Sequence, residues 1–212
     1  MRARLKICGV CEPGDAAEIA RMGADYVGMI FARKSPRHVS RAEAAAICEA
    51  LESSGARARR VGVFTDSGVS EILRAVREFR LDAVQLHGGQ DGDFAREVGR
   101  SCAAEVWRAV WLDSPEEFEA ALEFPADVIL ADSRSGNSPG GTGLVSDWTR
   151  AAKLARLRPT ALAGGISDEN AARALAEVSP FCLDANSAVE MSPRKKDLKK
   201  IEKILSIIGE CK

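Results

Sequence analysis

Four side chains in this sequence can move a proton or grip an anion, and each stands at or soon after the end of a strand-like run. The apolar stretch Val128, Ile129, Leu130 leads to Asp132 and then opens into a loop carrying Gly136, Pro139, Gly140, Gly141 and Gly143. A short buried strand that delivers a carboxylate to its carboxyl end and then turns glycine-rich is how α/β proteins present chemistry. Glycines let backbone N–H groups approach an anion and let a loop move. Taken alone, the stretch reads equally well as a surface loop with a solvated aspartate. Cys8 closes the first apolar run. A thiol acts as a base only as thiolate, which requires its pKa to fall from about 8.5 under positive neighbours or a helix terminus; the plainer role is a small buried hydrophobe. Arg37, in S-P-R, has a guanidinium suited to bidentate grip on a carboxylate, although a solvated loop arginine explains it as well. His87, in Q-L-H-G, can line a pocket or make a structural hydrogen bond. Cys8 and Cys11 form a C-x-x-C, but a zinc site needs a second ligand pair and the chain has only His38 and His87 to add. No metal ligand set is assigned.

These residues need elements to hold them. Strand-like runs cover 4–8, 25–31, 60–64, 82–86, 105–110, 127–132, 160–163 and 181–184. Helical patterns lie between and after them at 14–22, 41–53, 69–79, 91–100, 115–122, 147–154, 168–176 and 194–208. Ser40, Ser114 with Pro115, and Ser167 with Asn170 mark helix starts. Strand-then-helix units at intervals of roughly 20–35 residues predict an α/β chain closed as a single (β/α)8 TIM barrel. With no linker-like composition shift, residues 1–212 are expected to form one catalytic domain. Such a barrel gathers its chemistry at the carboxyl ends of its strands. Lys6 shares the side-chain direction of Cys8, and Asp184 on the last strand neighbours the first once the barrel closes. The two are predicted to pair, because an unpaired buried charge is far costlier than a paired one. Gly164 and Gly165 before a helix, with Asn186 and Ser187 after the eighth strand, fit the place where barrels hold phosphate. The basic runs at 57–60 and 195–200 read as solvated faces, and Leu198, Ile201, Ile204, Leu205 and Ile208 as a helical core stripe.

The 212 residues carry a formal net charge of −1, so no basic field points to nucleic acid or to an acidic membrane. Few aromatic residues and no apolar run near 20 residues argue against base stacking and against a membrane span. The amino terminus lacks a signal-peptide core, and six cysteines in a chain of this length fit reduced thiols in a cytoplasmic protein.

The motifs taken in order resemble the phosphoribosylanthranilate isomerase family. They are K-I-C-G at 6–9, G-A-D-Y-V-G at 23–28, S-P-R at 35–37, V-G-V-F at 61–64 and V-Q-L-H-G at 84–88; then the Asp132 strand with G-G-T-G, A-G-G-I at 163–166 and D-x-x-S-x-V-E at 184–190. The resemblance implies an Amadori rearrangement in tryptophan biosynthesis without cofactor or metal. Its substrate is a small phosphorylated molecule, and the enzyme is a monomer or homodimer. Carried over by position, Asp132 is the general acid at the ribose ring oxygen and Cys8 the general base at C2′, with a bell-shaped pH–rate profile. Arg37 holds the anthranilate carboxylate, and His87 and Asp184 belong to the substrate site. Gly164, Gly165 and Ser187 hold the phosphate, with the loop through Gly141 closing over it. The chain departs from the family pattern at Cys11, at Asn186 and Ala188 around Ser187, and at Arg194, where a glycine is usual. The rival readings are a related phosphoribosyl sugar isomerase of histidine biosynthesis, which would use paired aspartates, and a non-catalytic phosphate-binding barrel or thiol module.

Overall fold

Alternation of strand and helix persists from end to end in the computed structural model, which describes residues 2–132 and 148–210. The first half runs β1 (Arg4–Ile7), α1 (Pro13–Arg21), β2 (Tyr26–Ile30), α2 (Arg41–Ser53), β3 (Arg59–Phe64), α3 (Val69–Phe79), β4 (Ala83–Leu86) and α4 (Gly92–Ser101). The second half runs β5 (Glu105–Val110), α5 (Pro115–Glu123), β6 (Val128–Asp132), α6 (Thr149–Ala155), β7 (Thr160–Ala163), α7 (Ala171–Val178) and β8 (Cys182–Ala185). A 3-10 turn (Ser187–Val189), a small hairpin of β9 (Glu190–Ser192) and β10 (Lys195–Lys196), and α8 (Leu198–Glu210) complete the chain. Strands β1 to β8 pair in parallel, each with the next, and β8 returns to β1, so the (β/α)8 barrel closes without an edge.

Alternate side chains on each strand point inward. Tyr26 on β2 and Trp107 on β5 belong to strands that are not neighbours, yet their rings lie 5.0 Å apart edge to face, a contact that crosses the barrel interior. Val61, Ala83, Val128, Leu130 and Ala161 fill the same inner core. The opposite faces of the strands, through Leu5, Ile7, Val27 and Met29, pack outward in the larger core that also holds helix residues such as Ile19, Ile47 and Ile204. A run such as β1, apolar on one face and carrying Lys6 and Cys8 on the other, is therefore buried on both.

The helix starts follow local chemistry. Ser40 and Glu43 form a reciprocal capping box at α2, and Ser114 and Glu117 do so at α5, with Pro115 at the first helical position. The expected helix over 194–208 begins later, at Leu198: Asp197 accepts from the N–H groups of Lys199 and Lys200, while the residues before it form the β9–β10 hairpin. Arg194 occupies the hairpin turn at φ +74°, where a glycine would be at ease. The start expected for α6 at Asp147 lies outside the described residues; the helix is seen from Thr149.

Candidate active site

Barrel closure sets the register Lys6 opposite Asp184, and both carboxylate oxygens of Asp184 accept from Lys6 Nζ at 2.9 Å. The expected pair forms, deep in the interior, with the lysine side chain wholly enclosed. Burial is the largest influence and opposes the Lys6 ammonium, but the Asp184 carboxylate and, after it, Cys8 together hold the lysine above its ordinary pKa, charged at any working pH.

Cys8 lies just beyond the end of β1, on the same side of the chain as Lys6, and is 4 % exposed. It packs with Ile30, Ala32 and Val63, an apolar wall on the β1–β3 side of the barrel mouth. The simple expectation of a depressed thiol pKa is not met. Burial pushes the Cys8 thiol up from its ordinary value, with Lys6 and Lys196 pulling it back down.

Asp132 ends β6, which lies three strands from β1 around the ring by way of β7 and β8. Beside it, His87 Nε2 stands 4.0 Å from Asp132 Oδ2, and the Gln85 amide nitrogen lies 2.9 Å from His87 Nδ1. An amide N–H donating to Nδ1 leaves the ring proton on Nε2, aimed toward the carboxylate. Burial lowers the His87 pKa below 6.5 even though Asp132 works the other way, so the imidazole is neutral at pH 7. Asp132, His87, Lys6 and Asp184 form one electrostatic neighbourhood, since His87 responds to all three of the others.

Arg37 follows β2 and is engaged within the protein: its Nε and Nη2 donate to the two carboxylate oxygens of Glu190 at 2.8 and 2.6 Å. Lys196 Nζ donates to Glu190 at 3.1 Å, to the Asn186 side-chain oxygen at 3.1 Å and to the Asn186 carbonyl at 3.2 Å. Burial disfavours the Glu190 carboxylate, yet the hydrogen bonds from Arg37 and Lys196 win and hold its pKa low. Lys196, read from sequence as part of a solvated run, is instead 1 % exposed. In a two-residue strand successive side chains point to opposite faces, so Lys195 reaches out to Asp15 at 2.5 Å while Lys196 turns in. Neither Glu190 nor Lys196 was singled out as a site residue. Glu190 closes the D-x-x-S-x-V-E motif, but its meeting with Lys196 across a hairpin is nothing that periodicity flags.

The residues expected from the sequence to hold phosphate follow β7 and β8. Gly164 and Gly165 have φ of +89° and +90°, a backbone form that glycine adopts without strain. Asn170 fixes the next turn by donating to the Gly165 carbonyl and accepting from the Ser167 N–H, each at 2.9 Å. Ser187 opens the 3-10 turn after β8, and Asn186 before it is tied to Lys196. Gly141 and the rest of 133–147 lie outside the described residues. Cys11 is buried, with its thiol against the carbonyls of Gly9 and Arg37. Among the described residues no three His, Cys, Asp or Glu side chains cluster to hold a metal ion. A cavity of about 400 Å³ opens at the opposite, amino-terminal end between Arg4, Tyr26, Arg57 and Arg59, remote from this chemistry. Two of its guanidinium groups are already engaged, Arg4 by the Tyr26 hydroxyl and Arg59 by Glu105.

Residues 5–206 match the family model described as N-(5′-phosphoribosyl)anthranilate (PRA) isomerase. The N-(5′-phosphoribosyl)anthranilate isomerase of Synechococcus elongatus is 37 % identical over 212 residues, covering 99 % of this chain and 97 % of that one. The phosphoribosyl anthranilate isomerase structure from Thermotoga maritima superposes with a TM-score of 0.86 at 34 % identity, covering 98 % of each chain. A phosphoribosyl anthranilate isomerase structure in complex with reduced 1-(o-carboxyphenylamino)-1-deoxyribulose 5-phosphate superposes with a TM-score of 0.84 at 32 % identity, again over 98 % of each chain.

Proposed function

The chain belongs to the phosphoribosylanthranilate isomerase family, and from that premise we propose that Cys8 and Asp132 are the base and acid of its reaction. The enzyme is an aldose–ketose isomerase of tryptophan biosynthesis. It converts N-(5′-phosphoribosyl)anthranilate to 1-(2-carboxyphenylamino)-1-deoxyribulose 5-phosphate. Residues 1–212 act as one cytoplasmic catalytic unit on a small phosphorylated substrate; no described helix is long and apolar enough to cross a membrane.

Asp132 gives its proton to the ribose ring oxygen as the bond from that oxygen to C1′ breaks, and the nitrogen lone pair forms the C1′=N iminium. The Cys8 thiolate then takes the proton from C2′. The electrons of that bond form C1′=C2′, and the nitrogen recovers its pair as an enolamine. The enol proton leaves C2′–OH and a proton enters at C1′ by exchange with solvent, which also returns a proton to Asp132 and takes one from the Cys8 thiol, giving the ketone with no net gain or loss of atoms. Neutral His87 beside Asp132 orients the acid without competing for its proton. Arg37, fixed by Glu190, offers its remaining Nη1 hydrogens to the anthranilate carboxylate, while Gly164, Gly165 and Ser187 receive the phosphate. Asp184 acts from within, through Lys6, rather than on the substrate.

What supports the assignment is that Cys8 and Asp132 sit at the carboxyl ends of β1 and β6, on one face of one closed barrel. The test follows loss of substrate fluorescence with freshly made phosphoribosylanthranilate. Cys8→Ser, Cys8→Ala and Asp132→Asn should each cut kcat by about 10²–10⁴-fold, with KM within a few-fold of wild type. Near-normal turnover in any of them removes that residue from its role.

A further inference from the structure

Lys6 and Asp184 do no bond-making in the mechanism above, yet they occupy barrel-interior positions that elsewhere hold Val61, Leu130 and Ala161. A buried ion pair of this kind is often matched or bettered in stability by apolar residues of similar volume. Its location is more informative than its stability. Lys6 and Cys8 are two residues apart on β1 and share one face. Between them β2 presents Gly28. A Cβ at Gly28 would lie 3.2 Å from Cys8 Sγ and 3.3 Å from Lys6 Cε, so thiol and ammonium stem converge on one gap that only glycine leaves open.

The charges around Cys8 come from several elements. Lys6 stands on β1, Asp184 on β8 and Lys196 on β10; Arg37 arches over Gly9, its Cδ 2.7 Å from where a Gly9 Cβ would be. β2 contributes Gly28 and Ile30, neither charged, and Asp132 and His87 stand further round the mouth. Burial is the dominant influence on the thiol and opposes ionisation; Lys6 is the strongest influence favouring it, ahead of the counteracting Asp184. The buried wall that orients Cys8 thus also obstructs its use as a base, and one cation is placed to relieve that.

We propose that Lys6, anchored by Asp184, is the positioning residue that makes Cys8 usable as a base, its ammonium steadying the thiolate that abstracts the C2′ proton. Asp184 keeps the ammonium charged and holds it at a fixed distance. Lys6 neither gains nor loses a proton in the cycle; it balances the charge that appears and disappears on sulfur. This rests on the assignment of Cys8 as base, and the experiment separates the two.

The first readout is alkylation of Cys8 by iodoacetamide as a function of pH, quantified on the Cys8 peptide by mass spectrometry and independent of turnover. In Lys6→Met the Cys8 alkylation profile should move to higher pH by at least about one unit, a tenfold loss of thiolate at fixed pH. The kcat at neutral pH should fall about tenfold or more with KM within threefold, because no substrate contact is removed. Lys6→Arg, which keeps a cation, should restore part of both. Should Lys6→Met leave Asp184 unable to stay buried and fail to fold, Lys6→Met/Asp184→Asn removes both charges and carries the same readout. A wild-type alkylation profile in either folded variant overturns the proposal whatever the kinetics. A shifted profile with unchanged kcat would instead count against Cys8 as the base.

Discussion

Two of the donors of Arg37 lie on Glu190, and that division of one guanidinium has consequences for binding. A guanidinium held by two short charge-assisted bonds loses little rotational freedom when its outer corner meets a ligand. Glu190→Gln keeps an acceptor but removes the charge and one of the two matched oxygens. It should raise KM about tenfold with a smaller change in kcat, the size of a lost charge-assisted hydrogen bond of about 1.5 kcal/mol. Steady-state kinetics on the phosphoribosylanthranilate assay decide it, and an unchanged KM would detach Arg37 from carboxylate recognition. Gly9 is constrained from a different direction. Its φ is +66°, and a Cβ would stand 2.7 Å from both Arg37 Cδ and Asn186 Oδ1. Gly9→Ala should therefore destabilise the fold by about 1–3 kcal/mol and, on the proposed placement of the carboxylate at Arg37 and the phosphate beside Asn186, raise KM as well. Chemical denaturation with parallel kinetics reads both effects.

At the scale of elements, the β9–β10 hairpin is what ties the periphery to the site. Lys195 and the Lys196 N–H bind Asp15 of α1, Arg194 reaches the His38 carbonyl and Glu43 of α2, and Lys196 meets Glu190 and Asn186 beneath them. The chain accepts an arginine at positive φ in the hairpin turn, with those two contacts to the β2–α2 region opposing the strain. A helix cap remote from this network behaves locally. Ser114→Ala breaks the reciprocal cap of α5 and should cost about 1 kcal/mol without affecting KM. A thermal midpoint equal to wild type would show that Pro115 and Glu117 suffice to start that helix.

Across the whole molecule, closure of β8 on β1 is the step that creates the catalytic setting, because it brings Asp184 alongside Lys6. The pH dependence of stability reports on the same interior. The folded pKa of His87 is depressed below 6.5, so the unfolded chain binds a proton there before the folded chain does. The stability from this residue is complete above pH 6.5 and is lost as pH falls through that value toward the lower folded pKa. Urea midpoints measured between pH 7.5 and 5.5 should decline in the wild type and flatten in His87→Asn, which retains an acceptor for the Gln85 amide. Equal slopes would place the titrating group elsewhere.

The linear sequence determined the eight-fold strand–helix alternation, the capped helix starts, and the residues that end the strands. Those features depend on periodicity and on chemistry within a few positions. The Lys6–Asp184 pair was legible too, because side-chain parity on β1 combined with closure leaves an interior lysine one obvious partner. Tertiary structure alone decided that Lys196 is buried, that Glu190 holds Arg37, and that the wall around Cys8 raises the thiol's pKa instead of lowering it. Each of these depends on elements far apart in the chain meeting at one point, and on the desolvation that follows. Desolvation is a property of the packed surroundings, which local pattern does not encode.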